Sequence, residues 1–160
     1  MKIAIFLGAG ASAAEHCPIQ SQLFVEYFKS LTKKDYKSEM NIELHKFFKD
    51  MFNIDTINDD IDKILFPTFE EVLGLIDLAE QRRESFKSFG FENLHKKSNS
   101  IHLLRQHLML LMAKSINNSD KTNNYFHKLL IDNLLKEDIL KDTTFISANY
   151  DIHIDNTIAG

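Results

Sequence analysis

A single cysteine, Cys17, among 160 residues leaves no partner for an intramolecular disulfide and no multi-cysteine zinc site. That absence points to a reducing compartment, and the expectation is cytoplasmic. Tryptophan is missing while phenylalanine occurs 13 times, which is aromatic content for a core and not for stacking on bases. The longest apolar runs, Ile3 to Leu7 and Leu108 to Ala113, fall far short of the roughly 18 to 20 residues needed to cross a bilayer, so no membrane partner is expected. Met1-Lys2 leads straight into an apolar segment and Gly-Ala-Gly, without a charged leader, long apolar region and cleavage site in that order. We therefore read the start as mature. Positive charge is not in excess either: 19 basic against 23 acidic side chains give −4 at pH 7, with no global field to hold a polyanion. Nucleic acid is not an expected partner.

What is present, 44% hydrophobic and 26% charged residues, is the composition of one ordinary globular domain. Ile3 to Leu7 reads as a strand buried on both faces, ending in Gly8, and this suggests a parallel sheet covered by helices. Beyond a glycine-rich turn, Leu23, Phe24, Tyr27, Phe28 and Leu31 recur at helical spacing, with Pro18 and Ser21 placed at the helix start. Residues 41 to 54 carry a second helical pattern that fails around Asn53. Pro67-Thr68-Phe69-Glu70-Glu71 is the best start signal in the chain, because Thr68 can cap a helix while Glu71 reaches back as the other half of a capping box. Val72, Leu73, Ile76 and Ala79 form its buried stripe. Arg82 to Ser100 reads as a helix end and a loop broken at Gly90, after which Ile101, Leu104, Leu108, Leu111 and Met112 resume the helical period. A polar loop, Asn117 to Asn124, precedes a helix carrying Tyr125, Phe126, Leu129, Leu130 and Leu134. Thr143 to Ser147 is β-branched and aromatic and reads as the second strand, followed by a short apolar helix.

Two strands do not make a stable covered sheet by themselves. The expected fold is therefore α/β, an incomplete Rossmann-like parallel sheet with a large helical insert at about residues 40 to 140 between its first two strands. Residues 1–160 are expected to be the N-terminal part of a single domain, with a further C-terminal portion or a second copy covering the sheet edge.

Two constellations carry chemistry. The first is Gly8-Ala9-Gly10-Ala11-Ser12 at the carboxyl end of the first strand, where glycines let a ligand approach the main chain and successive N–H groups can cradle a pyrophosphate. It is not a Walker loop, since no Gly-Lys-Ser or Gly-Lys-Thr follows, and Ala13 stands where the full Gly-x-Gly-x-x-Gly fingerprint has its third glycine. A tight turn without ligand is the alternative. The second is Ser147-Ala148-Asn149-Tyr150-Asp151 at the carboxyl end of the second strand, where an amide can orient water or a sugar hydroxyl and a carboxylate can stabilise a developing cation. Here the alternative is Asn149 as a turn residue and Asp151 as a helix cap. Ligands of open parallel sheets bind outside the carboxyl ends of strands, so both constellations can face one crevice.

Together, Gly8 to Ser12, Pro18 and the Asn149-x-Asp151 strand end resemble the sirtuin-like NAD-binding family, in its bacterial, defence-associated NADase branch. Members carry Gly-Ala-Gly-x-Ser, a proline a few residues on, and Thr-Gln-Asn-x-Asp at a later strand end. The resemblance implies that Gly8, Ala9, Gly10, Ala11, Ser12 and Pro18 line the NAD phosphates and adjoining ribose, with Asn149 and Asp151 beside the nicotinamide and its ribose. It implies an NAD glycohydrolase of an antiviral effector, with NAD as substrate and no metal. The Phe-Arg that deacylating members carry after the proline is replaced by Ile19-Gln20, and their four zinc cysteines are absent, which disfavours the alternative of an NAD-dependent protein deacylase. The family's general-base histidine follows the Asn-x-Asp motif at a distance, so it is expected beyond Gly160, and the 160 residues alone are expected to be inactive.

Seven histidines form no metal-ligand pattern: His102 and His107 are five apart, and His95 is expected in a polar loop. His153 is expected on a helix surface and Cys17 in the packing. Lys33-Lys34 and Lys96-Lys97 read as solvated faces. Two rival functions remain, a module sensing NAD or ADP-ribose without turnover and a purely helical interaction module whose glycine turn is structural.

Overall fold

A computed structural model of the chain describes residues 2–84, 86, 94–119, 125–151 and 153–159. Among them the fold is mixed α/β and mostly helical, with seven α-helices and a two-stranded parallel sheet. The strands are β1 (Ile3–Leu7) and β2 (Thr143–Ser147); the helices are α1 (Ala9–Ala13), α2 (Leu23–Ser30), α3 (Glu39–Phe52), α4 (Phe69–Arg82), α5 (Leu94–Ser119), α6 (Tyr125–Lys136) and α7 (His153–Ala159). The chain divides into two compact units, Met1–Ile19 with Ile116–Gly160, and Gln20–Ser115. Among the described residues no helix is long and apolar enough to cross a membrane.

The second unit is a helical body with an aromatic interior. Phe24, on α2, meets Phe48 of α3 edge-on at 4.8 Å, and Phe28 stacks on Phe66 at 5.7 Å, arrangements in which ring edges meet faces or rings lie offset. Tyr27 brings its hydroxyl into this interior and donates it to Asn41 Oδ1 at 2.6 Å. Thr68 and Glu71 form the expected capping box, with the Thr68 N–H donating to Glu71 Oε2 at 2.7 Å and the Glu71 N–H to Thr68 Oγ1 at 3.3 Å. α3 starts at a Ser38 cap and stops at Asn53, whose left-handed backbone (φ 56°) ends the ladder.

Some expectations are corrected. α2 begins at Leu23 behind Gln22, with no side-chain cap from Ser21 or any other residue. α5 begins at Leu94 and still includes Asn117, so the helix extends into both stretches expected as polar loop. Polarity alone does not distinguish a loop from a polar stretch of helix. Gly90 and residues 120–124 lie outside the described residues, as do the side chains of His95, Lys96 and Lys97.

In the first unit β1 and β2 pair in parallel, Ile3 opposite Thr143 and Leu7 opposite Ser147. The Ala148 N–H continues the ladder to the Leu7 carbonyl at 3.1 Å. One face packs on α6 and α7 through Leu7, Ile131 and Ile154, with Ile5 and Phe145 against them. On the other face, among the described residues, Phe6 is 68% exposed and Ile146, its register partner, 48%. The expectation that β1 is buried on both faces fails for this reason, since a strand's second face is buried only where another layer lies on it.

Candidate functional site

The parallel register sets the carboxyl ends of β1 and β2 side by side, which brings residues 137 to 141 positions apart into contact. Asn149 spans them. Its amide nitrogen donates to the Gly8 carbonyl at 3.0 Å and to Ser12 Oγ at 2.8 Å, while its backbone N–H rests on Ser147 Oγ at 3.2 Å. Both amide hydrogens have acceptors on the glycine turn, so what Asn149 can offer a ligand is its Oδ1 acceptor. Asn149 is thus more than a turn residue, and Ser12, itself buried, is held by it.

The turn itself differs from expectation. Ala9 to Ala13 already form a single helical turn, α1, closed by an Ala11 N–H to Gly8 carbonyl bond of 2.9 Å. Gly8 has ordinary extended angles (φ −106°, ψ 178°), Gly10 lies within α1, and a Cβ built on either meets no protein atom within 4 Å. Neither backbone strain nor packing within the chain calls for glycine at these positions. Ala9 and Gly10 are exposed, Ala11 turns toward the core beneath, and Pro18 stands half-buried in the link beyond.

Asp151 is half-buried and its Oδ1 accepts the His153 N–H at 3.2 Å, the Asx geometry that starts α7. His153 is not on a helix surface as expected. It is 2% exposed and stacks on the ring of His127 with centroids 5.9 Å apart.

Glu15, which the sequence reading passed over, is the other organising residue. At 3% exposure its carboxylate accepts the N–H groups of Tyr125 (3.0 Å), Phe126 (2.7 Å) and His127 (3.0 Å), the first turn of α6. It also meets His127 Nδ1 at 3.1 Å, and since the carboxylate can only accept, that nitrogen carries the proton. Burial is the largest single influence on the Glu15 carboxyl and pushes its pKa up. The bonds from the backbone and ring of His127 and the backbone of Phe126 outweigh it and hold the group below its ordinary value. A carboxylate at a helix N-terminus satisfies orphan donors and complements the helix dipole. With this anchor at its start, α6 buries His127, Ile131 and Leu134 and leaves Tyr125, Phe126 and Leu129 exposed. No local signal could have found it, because donor and acceptor are 110 residues apart.

Comparisons with protein-family models, curated proteins and solved structures found no match to this chain. Among the described residues no group of three or more His, Cys, Asp or Glu could hold a metal ion.

Proposed function

We propose that the chain is the N-terminal part of a sirtuin-like NAD-binding domain, taking NAD as substrate, from an NAD glycohydrolase acting in antiviral defence. The observation that supports this reading best is the Asn149 amide joined to Gly8 and Ser12, beside glycines that neither strain nor packing demands. Backbone bared in this way accommodates a pyrophosphate at close approach, with Gly8, Ala9, Gly10 and Ser12 around the phosphates and adjoining ribose. Asn149 Oδ1 would accept from a ribose hydroxyl or a water, and the Asp151 carboxylate would favour positive charge on the ribose as the bond to nicotinamide breaks. Fixing Asn149 by two bonds spends binding energy in advance on orientation, as a glycosidic cleavage requires.

His153, the histidine nearest Asn149 in sequence, is buried against His127 and so does not serve as an exposed general base. The same observation favours a second reading, a module that binds NAD or ADP-ribose without turnover. Of the two steps, binding is the one that the glycine turn and Asn149 carry directly.

Calorimetry of the chain with NAD and with ADP-ribose tests the binding. The expected result is saturable heat with NAD that Asn149→Ala weakens. No heat with either ligand at millimolar concentration refutes the reading. Asn149→Ala should also abolish nicotinamide release; unchanged release removes Asn149 from catalysis, whereas binding with no release in the unsubstituted protein leaves the sensing reading.

A further inference from the structure

The inner stripe of α4, Phe69, Val72, Ile76 and Ala79, is buried. On its outer side Leu75 and Leu78 are 38% and 42% exposed, and Glu71 and Arg82 are exposed in the first and last turns. Positions 71, 75, 78 and 82 are separated by four, three and four residues, the spacing that sets side chains along one line of a helix. Single exposed leucines are ordinary; two on one line, between charges of opposite sign, form a patterned surface. Asp77 lies off this line and is matched within the chain by Arg105 at 2.9 Å.

The line is complementary to itself when reversed, because Glu71 stands as far before Leu75 as Arg82 stands after Leu78. A second α4 laid antiparallel on the first sets Leu75 of each copy against Leu78 of the other, and Glu71 of each opposite Arg82 of the other. Laid parallel, the same line sets Glu71 on Glu71 and Arg82 on Arg82, so the charges select the two-fold arrangement. The Glu71 carboxylate is already fixed for such a contact, since its Oε2 accepts the Thr68 N–H at 2.7 Å. That bond, and after it the Thr68 side chain, hold the carboxyl below its ordinary 4.5, so it is charged at neutral pH and has acceptor sites left for a guanidinium. Gly74, beside the line, costs α4 stability relative to alanine, and a Cβ built there meets no protein atom within 4 Å, so packing within the chain does not call for it. A glycine at that point lets a second helix come close.

We propose that the outer line of α4, formed by Glu71, Leu75, Leu78 and Arg82, is a self-association surface on which a second copy of this chain docks antiparallel. The pairing belongs to the second unit and is independent of the nucleotide reading. Two 14-residue helices offer less than the roughly 1,200 Å² of a standard interface, so the association is weak, with a Kd of about 10–1,000 μM.

The test is sedimentation equilibrium of the whole chain from about 10 μM to 1 mM, over which the mean mass should rise from 18.5 kDa toward twice that value. Arg82→Glu, which leaves the capping box untouched, turns both symmetric ion pairs into repulsions and should weaken association about tenfold. Glu71→Arg should do the same. An equimolar mixture of the two variants should associate again, because each introduced charge then faces its opposite. A chain that keeps the monomer mass throughout overturns the proposal. Association that Arg82→Glu leaves unchanged also overturns it, since the contact then lies on another face. With both variants folded by circular dichroism, a mixture that associates no better than either alone overturns it as well; if Glu71→Arg does not fold, the comparison of Arg82→Glu with the unsubstituted chain decides.

Discussion

Gly10→Ala separates a ligand site from a mere turn, because the two readings predict effects of opposite kind. Gly10 sits inside α1 and a Cβ there meets no protein atom within 4 Å. Alanine is favoured over glycine in a helix by about 0.5–1 kcal/mol, and nothing in the structure opposes the added methyl. The variant should therefore be more stable, with a Tm raised by about 1–4 °C for a chain of this size. Binding should move the other way. If a pyrophosphate lies against the bare backbone, a methyl forced into that contact resembles overpacking by one carbon, about 1–3 kcal/mol, or roughly 5- to 150-fold in Kd. Thermal melts and calorimetry with NAD on one preparation read both quantities. A stabilised variant that binds NAD as tightly as the unsubstituted chain would refute the proposed contact. A destabilised variant would refute the geometry of the turn.

Asn149→Ala removes two hydrogen bonds and should lower stability by about 1–2 kcal/mol in urea melts while the fold persists. Asn149→Asp, unable to donate to either acceptor, should do no better. Glu15→Ala strips the first turn of α6 of its acceptor and should destabilise by about 3 kcal/mol, measured by the same melts. Because the folded-state pKa of Glu15 lies below its ordinary 4.5, its contribution is present above pH 4.5 and is lost as pH falls through the lowered value. Glu15→Ala should therefore flatten the acid limb of the stability profile, and an unchanged limb would count against the anchor. Thr68→Ala, which breaks the capping box, should cost about 1 kcal/mol with no effect on NAD binding. His16 holds a left-handed backbone at φ 65°, so His16→Gly should raise Tm modestly.

The features legible in the linear sequence are those whose partners lie within a few residues. Thr68 and Glu71 are three apart and cap one helix turn, so their signature is complete in a five-residue window. Asn53 ends α3 where the apolar period fails, and Thr143 to Ser147 announce a strand by their β-branched and aromatic side chains. The tertiary structure decided whatever depended on distant partners. The glycine turn and the Asn149 strand end were each visible, but that one amide joins them follows from the parallel register of β1 and β2. The period of α6 was legible and its phase was not: His127 lies inward on a carboxylate 112 residues away, and Phe126 is exposed. Hydrophobicity says that a side chain gains from burial; only the packed chain supplies the surface against which it is buried, and Phe6 and Ile146, apolar and exposed, lie on the side of the sheet away from α6 and α7.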